Sequence, residues 1–139
     1  MTRVVFDTNV LYSAILKPAS LPAKAFDLVT ASLIIPCVSD DVLSEYRRVL
    51  HRRELDLNQD RRRQLLEHLA ALSLHVHPTE RLAIAPHEPD NRFLECAEAA
   101  LAAYLVTGNT RHFPRLYQTI AIVTPRQLLA ALGQDQTGI

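Results

Sequence analysis

The chain alternates short, wholly apolar runs with longer stretches whose apolar residues recur every three or four positions. Val4-Val5-Phe6 has no polar alternation and is too short for a helix, which predicts a strand buried on both faces. Val10, Leu11, Ala14 and Ile15 then keep helical spacing until Lys17-Pro18 closes the segment. Leu21 to Thr30 reads as a second helix, with Pro22 in its first turn. Leu33 to Val38 is the next apolar run, and Pro36 inside it predicts an irregular or edge-near strand. Ser39-Asp40-Asp41 offers an N-cap with acids in the first turn, ahead of a helix carrying Val42, Leu43, Tyr46, Val49 and Leu50. Asn58 caps a further helix to about Leu72, and Leu74 to Val76 is a weak strand.

Residues 78–89 are polar and hold three prolines, so they read as a loop. From Pro89 a long helix is expected, with Phe93, Leu94, Ala97, Ala100, Leu101 and Tyr104 on its apolar face. Leu105 to Thr107 is a strand ending at Gly108-Asn109, His112 to Tyr117 a short helix or turn, and Ile120 to Val123 the last strand. Thr124-Pro125-Arg126-Gln127 is a capping box with proline at the first helical position, and Gly133 stops that helix. Strands separated by helices predict an α/β fold with three α/β/α layers around a central parallel sheet of about five strands. The expectation is a single domain over residues 1–133, with 134–139 a loose C-terminal tail.

Composition narrows the class. A chain of 139 residues with 48% hydrophobic content fits one globular domain with a real core. Net charge is zero, so overall charge announces no nucleic-acid partner, yet seven of the 15 basic residues lie between Arg47 and Arg63. That run reads as a solvated helix face or as a surface for an acidic partner. Cys37 and Cys96 lack zinc spacing and read as buried thiols of a reducing compartment, which with no signal pattern and no long apolar run makes the cytoplasm the expected location. No membrane span is expected.

Three carboxylates stand out by position. Asp7 ends the first strand, Glu45 lies early in the helix after the second, and Asp90 opens the long helix before the fourth. In a parallel sheet all three face the carboxyl-end rim, where open α/β sheets bind ligands. Gathered acids repel and raise one another's pKa unless a cation meets them, and an oxygen-rich site suits Mg²⁺ or Mn²⁺. Arg47, Arg48 and Arg52 follow Glu45 closely in sequence, where a polyanionic backbone could be tracked.

Val5-Phe6-Asp7-Thr8-Asn9-Val10 resembles the opening of the PIN domain. Residues 39–46, 89–97 and 105–109 with His112-Phe113-Pro114 resemble its second, third and fourth motifs in order. The similarity runs from about residue 3 to 126, and within the family it is greatest to toxin components of prokaryotic toxin–antitoxin pairs (VapC-like ribonucleases). The resemblance implies metal-dependent cleavage of single-stranded RNA, with Asp7, Glu45 and Asp90 matching acidic metal ligands. Asn9 and Thr107 match supporting polar positions. The fourth position, often aspartate in the family, is Asn109, which coordinates through an amide oxygen without charge and puts a strict two-metal site in doubt. A homodimer and a cognate antitoxin are further implications.

Simpler readings stand beside these. Asp7 is also a turn residue, Asp90 a helix-start acid, Glu45 a solvated glutamate, and Asp40 and Asp41 are accounted for by capping. His75 and His77 fall on one side of a strand and read as exposed polar residues, since no third metal ligand is near in sequence. A phosphatase with Asp7 as nucleophile would want a second acid two residues on, where Asn9 stands. A catalytically weak or inactive PIN domain that binds RNA or protein is the alternative to a nuclease.

Overall fold

The computed structural model describes residues 1–133, and the expected tail at 134–139 lies outside them. Val4, Val5 and Phe6 are fully buried at the middle of a six-stranded sheet. The strands are β1 (Thr2–Phe6), β2 (Ile34–Val38), β3 (Leu74–His75), β4 (Tyr104–Val106), β5 (Leu116–Tyr117) and β6 (Ile120–Val123), in the order β3-β2-β1-β4-β6-β5. Every pairing is parallel except β5 with β6. β1 therefore has a parallel neighbour on each side and reads as an unbroken apolar run. β3 pairs only with Cys37 and Val38. Pro36, opposite Val4 of β1, thus stands where β2 has no ladder partner on its other side, the position a residue without an N–H tolerates.

Among the described residues six helices complete the layers: α1 (Thr8–Leu16), α2 (Leu21–Thr30), α3 (Asp40–Leu50), α4 (Gln59–Leu72), α5 (Asn91–Ala100) and α6 (Pro125–Ala131). α5 packs on β1, β2 and β4 with α3 against it, while α2 packs on β2 and α6 on β4 and β6, with α1 and α4 gathered about α2. The rings of Phe6 and Phe26 lie 6.0 Å apart, so strand alternation turns Val5 toward the opposite layer. Each such side chain contributes about 1.5–3 kcal/mol through burial.

The helix starts follow their caps. Ser20, Ser39, Asn58 and Thr124 each accept from a backbone N–H in the first turn, and Gln127 completes the capping box with Thr124. Two segments differ from expectation. The helix expected to carry Tyr104 stops at Ala100, because Leu101 takes a left-handed conformation (φ 52°) and the N–H groups of Leu101 and Ala102 turn back to Glu98 and Ala97. Tyr104 begins β4 instead. The short helix or turn expected at His112 to Tyr117 splits into a 3-10 turn (Thr110–His112) and β5, the outer arm of an antiparallel hairpin. Its turn uses Gln118 at φ 54°, without the glycine that advertises such turns.

The proline-rich loop is pinned by α5. Asn91 Oδ1 accepts the N–H groups of Ile84 and Ala85 at 2.9 and 2.8 Å. Glu95, only 3% exposed, accepts the Leu82 N–H at 2.8 Å and pairs with Arg92 at 2.6 Å and Arg81 at 3.1 Å. Tyr46 donates its hydroxyl proton to the Phe6 carbonyl, locking α3 onto the end of β1. Replacing Tyr46 with Phe strands that buried carbonyl and is expected to cost about 1–3 kcal/mol in denaturant unfolding, with the far-ultraviolet circular dichroism unchanged.

Candidate functional site

The sheet order reverses at β1, whose neighbours β2 and β4 lie on either side, and this switch point is where open α/β sheets bind ligands. Asp7 sits just beyond β1, its N–H still held by the Val106 carbonyl of β4 at 2.8 Å. Thr107, fully buried beyond β4, donates to Asp7 Oδ2 at 2.8 Å and accepts from the Asn109 N–H at 3.0 Å. Asn9 Oδ1 accepts the Gly108 N–H at 3.0 Å, so the two loops leaving β1 and β4 are stitched together. A side chain at Gly108 would meet that Asn9 amide at 3.5 Å, an ordinary contact.

Asp90 closes a 3-10 turn (Glu88–Asp90) against the start of α5 and, like Asp7, is 8% exposed. Its Oδ2 is buried, and two imidazoles flank it at the edge of hydrogen-bond reach: His87 Nδ1 at 3.5 Å and His112 Nδ1 at 3.4 Å. Asn109 Nδ2 lies 3.0 Å from His112 Nε2. An amide N–H donating there puts the ring proton on Nδ1, the nitrogen facing Asp90, and leaves the Asn109 amide oxygen as a lone-pair donor. A chain of contacts thus runs Asp7, Thr107, Asn109, His112, Asp90.

Electrostatics close the circuit. Burial, offset in part by the Thr107 hydrogen bond and reinforced by the Asp90 charge, pushes the Asp7 carboxyl up to about 6. Burial also raises Asp90, against the lowering influence of His87 and His112, and Glu45 adds a smaller push upward. Asp90 thus acts on Asp7 and Glu45 on Asp90, but the carboxylate oxygens of the three do not all lie within 4.8 Å of one another. Glu45 is more open than the other two, and both its oxygens engage Arg48 at 2.8–2.9 Å. The two thiols stand apart: Cys37 and Cys96 are buried and pushed up to about 11 and about 12.

The arginines divide by position. Arg47, Arg48 and Arg52 are exposed at and beyond the end of α3. Arg61 and Arg62 instead reach the Ala14 and Leu50 carbonyls at 2.8 and 3.4 Å, closing the last turns of α1 and α3, and Arg63 pairs with Asp60. Beside Asn9 and Asn109 an open groove of about 620 Å³ is lined by Ser13, Leu21, Pro22 and Arg126 as well. His87 and His112 were not among the candidates read from sequence. His87 stands three residues before Asp90, a spacing that would have flagged it; His112 reaches Asp90 only through folding.

With this geometry in place, comparison with known proteins is direct. Residues 3–111 match the PIN domain family. The chain belongs to that family. It is 28% identical over 110 residues to an uncharacterised protein of Methanocaldococcus jannaschii, covering 77% of this chain and 70% of that protein. Its fold is similar to a chain in the crystal structure of VapBC2 from Rickettsia felis bound to a DNA fragment from their promoter. That similarity has a TM-score of 0.58 at 18% identity and covers 88% of this chain and 98% of the other.

An acid whose pKa is higher in the folded than in the unfolded protein holds its proton more tightly when folded. Metal-free protein should therefore lose stability as pH rises from about 4 to about 6, by up to about 3 kcal/mol from Asp7 alone. Asp7→Asn removes this component. The difference between wild type and variant, read by urea unfolding in EDTA across that range, is expected to favour the variant increasingly as pH rises.

Proposed function

We propose that this PIN domain is a metal-dependent endoribonuclease that hydrolyses phosphodiester bonds of single-stranded RNA, acting in the cytoplasm as the toxin of a toxin–antitoxin pair. The observation that carries the reading is the pairing of two largely buried carboxylates, Asp7 and Asp90, at the switch point of the sheet. Two buried carboxylates, one with an oxygen met by imidazoles at 3.4–3.5 Å and by no closer donor among the described residues, are a poor arrangement for the protein alone and a suitable one for a hard divalent cation. Asp7, Asp90 and the amide oxygen of Asn109 offer oxygens at this rim, and Glu45, whose two oxygens now engage Arg48, would have to leave that arginine to join them; such an oxygen-rich set favours Mg²⁺ or Mn²⁺ over zinc. When bound, such an ion neutralises phosphate charge and lowers the pKa of water.

The chain's own residues supply orientation. Thr107 holds one oxygen of Asp7 and so fixes how the other is presented. Asn9 fixes the Gly108 backbone beside it. His112, held by Asn109, sets the approach to Asp90. The groove toward Arg126 has the polar and apolar walls that a single strand needs for its phosphates and bases, and Arg47, Arg48 and Arg52 extend the cationic surface from α3. In hydrolysis the oxygen of water joins phosphorus, the bond to one ribose oxygen breaks, and that oxygen leaves with a proton.

The toxin assignment draws on the fold shared with a chain of VapBC2, and with it comes a cognate antitoxin as a proposed partner; a homodimer is proposed from the family resemblance alone. A second reading rests on the neutral Asn109: a domain with weakened cation binding would bind RNA or a partner protein without cutting. Both are decided by cleavage of a labelled single-stranded RNA. Cleavage with Mn²⁺, abolished by EDTA and reduced about 100-fold or more by Asp90→Asn, supports the nuclease. RNA retention without cleavage in any divalent ion supports the binding module.

A further inference from the structure

A second cluster of ligand atoms lies two strands further along the same rim. His75 ends β3, His77 follows two residues on, and Asp40 opens α3. Their donor atoms all lie within 4.8 Å of one another, and all three residues are exposed. We propose that Asp40, His75 and His77 form a transition-metal site, of the zinc class, separate from the acidic pair at Asp7 and Asp90. This does not rest on the nuclease reading.

The backbone sets up the convergence. Residues two apart on an extended chain point the same way, so His75 and His77 share a side, and their rings stack with centroids 5.1 Å apart. β3 is held against β2 with Val38 opposite His75, and the Val76 N–H donates to the Val38 carbonyl at 2.8 Å. That ladder delivers the chain two residues later to Asp40, whose Oδ1 lies 2.8 Å from His75 Nε2. Tetrahedral ligands at zinc distances of about 2.0–2.1 Å stand roughly 3.4 Å apart. Rotations of exposed side chains can bring the three donors to that separation, since one contact is already 2.8 Å and the others lie within 4.8 Å.

The donor chemistry selects the ion. Two imidazoles with one carboxylate suit zinc, nickel or copper, whereas Mg²⁺ prefers an all-oxygen shell. Three protein ligands on an exposed rim leave a coordination position for water. The adjoining cleft of about 410 Å³ is lined by Asp41, Glu80 and Arg81 beside Asp40 and His77. Arg81, the local cation, is engaged by Asp41 at 3.0 Å and by Glu95. A bound ion would cross-link the short edge strand β3 to the start of α3, the helix that carries Glu45.

The test uses tag-free, full-length protein titrated with ZnCl₂ by calorimetry, together with thermal unfolding. Wild type and Asp90→Asn should both take up one Zn²⁺ at micromolar affinity with a rise in Tm. His75→Gln and Asp40→Asn should each weaken binding about tenfold or more and lose that rise. Both substitutions fall on exposed residues, and unchanged circular dichroism verifies folding. Zinc affinity unchanged in both variants, lost in Asp90→Asn instead, or absent from wild type at about 100 µM would overturn the proposal.

Discussion

The desolvation of Asp7 beside Asp90 is the constraint around which the rest of the structure is arranged. A carboxylate ending a fully buried strand has few ways to recover its lost hydration. Here Thr107 returns one hydrogen bond from the neighbouring strand, and the pKa still stays near 6. A fold that selected only for stability would place an apolar residue or a salt-bridged acid at this point. The position instead holds an acid without a cationic side chain against it, flanked by a second acid. An arrangement that costs folding energy and offers negative potential at the rim where open α/β sheets bind ligands is the physical content of the candidate site.

The supporting structure keeps that cost confined. Tyr46 fastens α3 to the last carbonyl of β1, so Glu45 and Asp7 are fixed by adjacent residues of one contact. Asn91 and Glu95 hold the loop before Asp90 with backbone hydrogen bonds, and the ion pairs of Glu95 are shielded by its burial. These are charges matched to partners, in contrast with Asp7, against which no cationic side chain stands among the described residues. α5 thus has two roles along one short helix: its first turns anchor the loop, and its start presents Asp90.

Family membership and local chemistry agree without being the same statement. The PIN match covers residues 3–111, and the fold similarity at 18% identity speaks to architecture. The local features seen in this chain are the neutral Asn109 bound to His112, the pair of imidazoles on Asp90, and the arginines that close α1 and α3 rather than facing outward. Arg61 and Arg62 illustrate how a cationic run divides once folded. A run that looks uniform in sequence spends some of its members on helix ends.

By itself the sequence determined what depends on neighbours along the chain. The buried run at Val4 to Phe6, the caps at Ser39, Asn58 and Thr124, and the alternation of strands and helices follow from local sterics and periodicity, while the order of the acidic motifs was legible through the resemblance to the PIN domain. What tertiary structure decided depends on groups that meet across long separations. Leu101 ends α5 in a left-handed turn although its side chain suits a helix, because the chain must return to start β4. Leu116 and Tyr117 become a strand because β6 offers an edge, and Tyr117 and Gln118 find Glu98 of α5. His112 reaches Asp90, and Asp40 reaches His75, through contacts that no spacing along the chain encodes. Side-chain identity sets which contacts are favourable, but only the packed sheet brings their partners within reach.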